Sequence, residues 1–572
     1  MALLSVFNKL DAASLAPLLQ WKLLILAAIP LAVVFYLRRS KADPLDIKLF
    51  SHFPQPEEAD PNRGHWPWIE KAAALGDPRR SFANMNDFVD ELLYEQAQKL
   101  GFPPVLLVDW RPMESFMILF ILNNDVAEQV TKPTKQYNTS VPKHPAMQDL
   151  APLVGARSLV TTDGDEWKGL RKRILPGMQP QHLLSLVKVI LDKTELFINL
   201  MEQKAASGEA FNIDEYTTNL AFDVIGIVTF DMDLNAQVEG KQSKVLTTYR
   251  ALSHAYIKRE LGKHWLRRYF SENERKIRRL DKELDAILKE EIIRQHKDFK
   301  AGLATASRSV AALSLHDIDV LTPEILQQTS DTCRGFLFAG HDTTSILLQW
   351  CFYELHRRPQ SAKDLKEELD EVFGPDPSPK SVIEQLSGPQ AGKLLARLPY
   401  TDAIIKEALR LHPPGTTARV APKGANYTIT LPNGQPLVVD GLCLSPRAYI
   451  IQRDPKIFGE TRDEFRPERW LGPDAANIPD SSFRPYERGP RRCTGSELAN
   501  LESKVVLAII ARHFEFVKVG LGELDLTEEG KPQLDDRGYY KTKGTLFSTD
   551  LVTSKPVDGM HLKVELKNKP KA

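Results

Sequence analysis

The sequence predicts a mainly α chain with a small β-rich lobe, and three observations lead there. The stretch from Thr322 to about Arg357 stays helix-compatible for roughly 50 Å at 1.5 Å per residue, long enough to cross a whole domain. A second helix-like run, Ser496 to Arg512, follows a loop rich in glycine and arginine. Strand-like runs are few and short: Val105–Asp109, Phe116–Leu122, and the pair Tyr427–Thr430 and Leu437–Val439.

The 572 residues contain no long Gly/Ser linker and no internal repeat, which favours one large body behind a short anchor. Lys plus Arg and Asp plus Glu each number 75, so the formal charge is zero and nothing points to nucleic acid. Four cysteines in this length do not make a disulfide framework. Cys333 and Cys351 lie on the long helix about 27 Å apart and cannot pair. A reducing compartment fits this usage.

At the amino-terminal end, Leu18 to Leu37 is apolar apart from Gln20 and Lys22 and is just long enough to span a bilayer. Arg38, Arg39 and Lys41 follow at once, which places residues 1–17 in the lumen and the rest in the cytosol. A cleaved signal peptide is the competing reading, disfavoured because the charge lies after the apolar run. Residues 38–68 hold Pro44, Pro54, Pro56, Pro61 and Pro67 and read as a stiff connector, with the catalytic body expected over residues 69–572.

A helix-like pattern then leads to the first two strands, and residues Thr131 to Val160 lack clear periodicity. Trp167 and Arg171 are four apart, which puts an indole N–H and a guanidinium on one helix face, both able to donate to a carboxylate. Lys168, Lys172 and Arg173 would project outward as a basic patch, or simply as a solvated face. Ile213 to Gln237 reads as a helix. His254 to Phe270 is basic and aromatic, and its Trp265, Tyr269 and Phe270 suit either a membrane interface or ordinary packing.

The long helix starts well, with Thr322 as N-cap and Pro323 at its first position. Its middle reads AGHDTTS, Ala339 to Ser345, where Gly340 and two threonines are poor helix formers and a local widening or kink is expected. A packing notch with threonines bonded back to the preceding turn is the plainer alternative. Further on, KEALRLHPP places Glu407 and Arg410 three apart on one helix face. Asn433-Gly434 marks a hairpin.

The loop Phe483 to Asn500, FRPYERGPRRCTGSELAN, sets Cys493 between Gly489 and Gly495. The glycines would let the backbone turn and approach a flat ligand, while Arg488, Arg491, Arg492 and the following helix N-terminus would favour the thiolate. With no CxxC partner and no clustered histidines, zinc is poorly supported, and a lone thiolate suits haem iron.

Tyr486, Gly489, Arg491, Cys493 and Gly495 carry the spacing by which the chain resembles the cytochrome P450 superfamily of haem-thiolate monooxygenases; Tyr486 stands where Phe is usual. The resemblance implies the mainly helical fold of that family, with haem between the long helix and the Cys loop and its iron bound by Cys493. It implies that Trp167, Arg171 and Arg419 hold haem propionates and that Ala339 and Gly340 lie over the ring. Asp342 and Thr343 match the acid and alcohol that deliver protons during oxygen activation. His341 occupies a variable position. Glu407, Arg410 and, from DEFRPERW, Arg469 match a structural triad. The segment 131–160 would cover the substrate pocket, and the tip of a last hairpin, Thr553 to Met560, would touch substrate.

The same resemblance implies O2 and NADPH-derived electrons as co-substrates, since no separate flavin or nicotinamide fingerprint is found. With an anchor, it implies NADPH–cytochrome P450 reductase and cytochrome b5 as partners at the endoplasmic reticulum membrane. The runs GARSLVTTDGDEWKGLRKRILPGM and NLAFDVIGIVTFDMDLNAQ look like filamentous-fungal enzymes of the sterigmatocystin and aflatoxin type, which suggests a hydrophobic polyketide or terpenoid substrate. A haem-thiolate isomerase or dehydratase is an alternative that would not need Asp342 and Thr343. A non-catalytic membrane haem or lipid binder is another. A cysteine hydrolase lacks a Cys–His pairing.

Overall fold

The computed structural model describes residues 47–57, 59–60, 63–75, 89–110, 116–258, 271–303, 309–549 and 552–567. Residues 1–17, the expected span 18–37, the start of the connector, and Trp265, Tyr269 and Phe270 lie outside the described residues. Among those described, no helix is long and apolar enough to cross a membrane. The chain divides into two units, of which the first ends at His52 and contributes one described 3-10 turn, Ile47–Phe50. Everything below concerns the second.

Described residues at the end of the Pro-rich stretch are hydrogen-bonded within this second unit. The Pro54 carbonyl accepts from the Leu107 amide at 2.9 Å, and the His65 and Asp109 backbones are joined at 2.9 Å. Pro carbonyls remain good acceptors although Pro has no N–H, so the stretch can cap an exposed strand edge without forming a ladder.

Helices of eight residues or more are numbered here. The first are α1 (Trp66–Leu75) and α2 (Val89–Lys99), leading to strands β1 (Val105–Asp109) and β2 (Met117–Ile121). Next come α3 (Asn124–Thr131), α4 (Gly164–Ile174), α5 (Val187–Ser207), the two-residue strand β3 (Phe211–Asn212) and α6 (Ile213–Phe230). Helices α7 (Lys244–Ile257), α8 (Glu272–Lys300), α9 (Pro323–Arg357), α10 (Pro359–Phe373), α11 (Pro379–Leu386) and α12 (Pro399–Leu411) follow. Strands β4 (Arg419–Val420), β5 (Thr428–Thr430), β6 (Pro436–Val438) and β7 (Cys443–Pro446) then precede α13 (Ser496–Ile510), β8 (Phe514–Lys518) and β9 (His561–Leu566).

The architecture is mainly α, as the sequence predicts, with strands confined to three small sheets ordered β1-β2-β7-β4, β3-β9-β8 and β5-β6. All five residues of β1 are buried, as befits a strand covered on both faces, and it runs antiparallel to β2, while β2 pairs in parallel with β7. Ile429 faces Leu437 in the β5-β6 hairpin, whose Gly434 takes a φ of 84°. That left-handed turn is why the Asn-Gly signal was legible.

Helix α9 runs through the core, packing on α6, α12 and α13. The Thr322 hydroxyl caps it by accepting from the Ile325 amide at 3.3 Å, and it ends where Arg358 meets Pro359, since a residue before proline avoids the helical region. The α-helical pattern continues unbroken through Ala339–Ser345. Side chains bond back to the preceding turn, as the plainer alternative has it: Thr343 Oγ1 donates to the Ala339 carbonyl at 2.7 Å, and Ser345 Oγ to the Asp342 carbonyl at 2.8 Å. Helix α6 ends at Phe230, earlier than the sequence pattern predicts. Asp231 turns left-handed with a φ of 57°, and the Asp223 carboxylate accepts from the Ala236 and Gln237 amides, folding 231–237 back on the helix.

Candidate functional site

Between α9 and the loop before α13 lies a cavity of about 260 Å³. That is near the lower end of the roughly 300–1,000 Å³ spanned by most small-molecule sites. Phe336, Ala339, Gly340, Thr343 and Thr344 of α9 line one side, with Ile225 of α6. Tyr486, Cys493, Gly495 and Leu498 line the opposite side. Gly340 is required by packing: a Cβ there would come within 2.5 Å of Ile225 Cγ1. The residue therefore both brings α6 and α9 together and leaves the cavity wall flat.

The Cys loop is held by its backbone, with the Cys493 amide donating to the Tyr486 carbonyl at 2.9 Å and the Arg492 amide to the Gly489 carbonyl at 3.0 Å. Gly489 has a φ of 75°, and a Cβ would stand 2.1 Å from the Thr131 carbonyl oxygen, so only glycine fits. Gly495 differs from the expectation of a tight turn: its φ is −86°, and an added Cβ would meet only Cys493 Sγ, at 3.9 Å. Tyr486 finds the partner its hydroxyl needs, donating to Asn500 Oδ1 at 2.7 Å.

Cys493 is exposed to the cavity. Burial among surrounding protein raises its thiol pKa, and the amides of Gly495 and Ser496 together with Arg171 and Arg492 work against that rise without cancelling it. The sequence-based expectation of a lowered pKa is thus corrected for the protein alone. All three arginines it invoked have carboxylate partners: Arg488 pairs with Glu128 at 3.0 Å, Arg491 pairs with Asp163 and donates to the Thr162 carbonyl at 3.0 Å, and Arg492 stands 3.4 Å from Glu497.

One rim of the cavity is cationic. Arg419 is 1% exposed, and burial followed by repulsion from Arg491 lowers its pKa to about 10. Among the described residues neither Arg419 Nε nor Arg491 Nε has a hydrogen-bond partner. Lys143 completes the group and donates to Thr417 Oγ1 at 3.1 Å, while burial and then these two arginines hold its ammonium well below the usual lysine range. Buried donors without partners, beside a sulfur facing the same space, fit a flat ligand that carries carboxylates on one edge. Lys143 was not found from sequence, because it sits in the aperiodic 131–160 segment and only the fold brings it to Arg419.

Trp167 and Arg171 stand behind this rim. Trp167 is buried with Arg491 over its ring at 4.4 Å and Arg171 at 5.5 Å, and Arg171 Nη1 donates to the Arg492 carbonyl at 2.9 Å. These contacts join both residues to the Arg491–Arg492 segment of the Cys loop. In the basic patch, Lys168 and Lys172 are at the surface, but Arg173 turns inward toward Cys333 rather than outward.

Asp342 is buried beside Thr343 in sequence and is not among the residues lining the cavity. Lys555 lies 2.5 Å away, the Thr553 hydroxyl donates to its other oxygen, and His341 stands at 3.8 Å. Burial opposes its charge, but Lys555, His341 and Thr553 together hold the carboxyl below its ordinary value. His341 itself stacks on Phe222 at 3.9 Å and bonds the Leu337 carbonyl at 2.6 Å, so it packs on the α6 side.

Behind the Cys loop, the fold brings Glu407, Arg410 and Arg469 together. Glu407 accepts from Arg410 Nε and Nη2 at 2.9 and 2.8 Å and from Arg469 Nε at 2.9 Å. Sequence reasoning missed two further donors, Trp470 Nε1 at 2.8 Å and the Arg466 amide at 2.9 Å, both supplied by the same RPERW segment.

Against known proteins, the Cytochrome P450 family model matches residues 95–534. The chain is 29% identical to cytochrome P450 monooxygenase acrF of Aspergillus aculeatus over 457 residues, covering 74% of this chain and 86% of that protein. It is 28% identical to cytochrome P450 monooxygenase polC of Polytolypa hystricis, covering 74% and 76%. It is also 28% identical to a cytokinin hydroxylase of Arabidopsis thaliana, covering 63% and 66%. Proteins of this family use haem held by a cysteine thiolate, with O2 and NADPH-derived electrons. A match over most of the length, joined to a cavity with a cysteine on one side and a glycine-flattened helix on the other, makes this chain a member of the cytochrome P450 monooxygenase family.

Proposed function

We propose that the protein inserts one oxygen atom from O2 into a hydrophobic small molecule of the polyketide or terpenoid kind, with Cys493 as the ligand of the haem iron. The observation that carries this reading is the placement of Cys493 Sγ and Thr343 on facing walls of one cavity whose rim holds Arg419 and Arg491. When bound, a thiolate-ligated haem supplies oxygen activation and O–O cleavage.

The chain's own residues do the rest. The Gly495 and Ser496 amides and the charges of Arg171 and Arg492 favour the thiolate form at Cys493 Sγ. Arg419, Arg491 and Lys143 receive the ligand's carboxylates, with Trp167 and Arg171 fixing Arg491 from behind. Ile225, Phe336, Met178 and Leu498 present apolar surface suited to a hydrophobic substrate. The Thr343 hydroxyl, whose proton is engaged with the Ala339 carbonyl, lines the cavity where its oxygen can order water, and the ionised Asp342 carboxylate would pass on to that water protons taken up from solvent.

NADPH–cytochrome P450 reductase is proposed as the electron donor, with cytochrome b5 as a further one, at the endoplasmic reticulum membrane to which residues 18–37 would anchor the body. Similarity to two fungal cytochrome P450 monooxygenases supports the monooxygenase reading. The test is reconstitution with the reductase, following NADPH oxidation, peroxide and oxygenated product over a panel of polyketides and terpenoids. Product formation that falls at least tenfold in Thr343→Ala supports the reading. Turnover of a substrate without NADPH, unchanged in that variant, would favour the isomerase or dehydratase alternative; haem loading with no NADPH or oxygen consumption would favour the binder.

A further inference from the structure

Ahead of β9 the chain turns back on itself, with Ser548 and Pro556 joined by an isolated antiparallel bridge, and the described residues Thr553–Lys555 of this turn reach two places at once. The Ser554 amide donates to the carbonyl of Pro414, a residue of the cavity wall, at 3.0 Å. On either side of Ser554, Thr553 and Lys555 both bond the Asp342 carboxylate.

Lys555 is shared between two acids. Its ammonium stands 2.5 Å from Asp342 on α9 and 3.5 Å from Asp214 in the first turn of α6. Asp214 is fixed in turn by Gln349 Nε2 at 2.9 Å. The Lys555 side chain is 31% exposed, against 9% for Asp342, so the lysine is where the buried acid meets water. Among the described residues, Lys555 is the one lysine or arginine within 4 Å of this buried carboxylate, and such a contact helps keep it ionised and oriented.

We propose that Lys555 is a positioning residue for proton delivery, holding Asp342 ionised and aimed between Thr343 and solvent, with Asp214 as the second seat that lets the ammonium shift. This rests on the monooxygenase reading of Asp342 and Thr343 above. It ties proton supply to the hairpin: whatever moves the tip at Pro414 also moves both groups that bind the acid. Sequence reading assigned this hairpin to substrate contact alone.

The test needs no substrate. NADPH oxidation by the reductase-reconstituted holoenzyme partitions between NADPH + H⁺ + O2 → NADP⁺ + H2O2 and 2 NADPH + 2 H⁺ + O2 → 2 NADP⁺ + 2 H2O. The second route needs further protons, so the peroxide yield per NADPH reads their supply, and the solvent deuterium effect on that yield reads it independently. Lys555→Met is expected to raise the yield at least twofold, to match Asp342→Asn, and to add nothing in the double variant, while Lys555→Arg restores it. A separate cycle of thermal unfolding on the ferric holoenzymes should show Lys555→Met and Asp342→Asn to be non-additive. If Asp342→Asn and Thr343→Ala leave the partition unchanged, the reading of the site fails. If they shift it and Lys555→Met does not, this inference alone is overturned.

Discussion

Removing Glu407 is the sharpest way to ask what holds the Cys loop. Its side chain and that of Arg410 are 0% exposed, and Glu407 accepts five hydrogen bonds from four residues. Glu407→Ala leaves Arg410 Nε buried without a partner and takes one of the two acceptors from Nη2, which keeps the Glu464 carbonyl at 2.8 Å, while Nη1 keeps the Gln452 carbonyl at 2.8 Å. Breaking one side of a buried ion pair costs about 3–5 kcal/mol, a large part of a typical total stability of about 5–15 kcal/mol. The RPERW turn also loses its three anchors on Glu407, so the segment leading to Cys493 loosens first. Arg469→Ala removes one donor of the five and should cost about half as much, roughly 1.5–3 kcal/mol. Burial acts against the Glu407 charge, but Arg410 and Arg469 hold its pKa below the ordinary carboxylate value. The stability it contributes is therefore present at neutral pH and lost only as pH falls from about 4.5 through that lower value. Haem content per folded protein and urea unfolding of the ferric protein are the assays. A Glu407→Ala protein that loads haem fully and unfolds within about 1 kcal/mol of the parent would refute the reasoning.

Gly489→Ala should prevent correct closure of the Cys loop, because a Cβ would overlap the Thr131 carbonyl oxygen at 2.1 Å; haem yield after expression is the measure, with at least a tenfold loss expected. Arg419→Gln should weaken haem retention more than Lys168→Gln, since Arg419 lines the cavity and Lys168 pairs with Asp165 at the surface; transfer of haem to an apo-globin acceptor reads the difference. Tyr486→Phe should cost about 1 kcal/mol, the net worth of its bond to Asn500, and leave thiolate ligation intact by the reduced carbon monoxide spectrum. Burial holds His412 below the usual imidazole value despite Glu354 at 2.9 Å, so stability should fall as pH drops below about 6.5, where the unfolded chain takes the proton first. His412→Gln, which keeps a donor to Glu354, should flatten that slope in urea unfolding between pH 7 and 5.

What was legible in the sequence follows from how local each signal is. The long helix was delimited at both ends because Thr322 and the Arg358-Pro359 step act on their own neighbours. The Asn433-Gly434 hairpin was legible for the same reason. Helix α6 was drawn too long because the segment after it is folded back by Asp223, a buried residue about two turns before the helix end. The helix through Ala339–Ser345 stays regular because Thr343 and Ser345 bond the turn behind them and Gly340 lets Ile225 close in, a tertiary contact that propensity does not report. At the site, motif spacing located Cys493, Arg419 and the Glu407 group. It could not show that Arg488 and Arg491 are committed to Glu128 and Asp163, that Lys143 joins the rim, or that Lys555 sits on Asp342. Each of these is a pairing across more than a hundred residues, apart from one's own loop.

The central claim is that Cys493 ligates haem iron as a thiolate, and the carbon monoxide difference spectrum of the reduced protein tests it most directly. A strongly red-shifted haem band that is lost in Cys493→Ala and replaced by an imidazole-type band in Cys493→His is the expected result. An imidazole-type band in the parent protein, or a red-shifted band that survives Cys493→Ala, would contradict it.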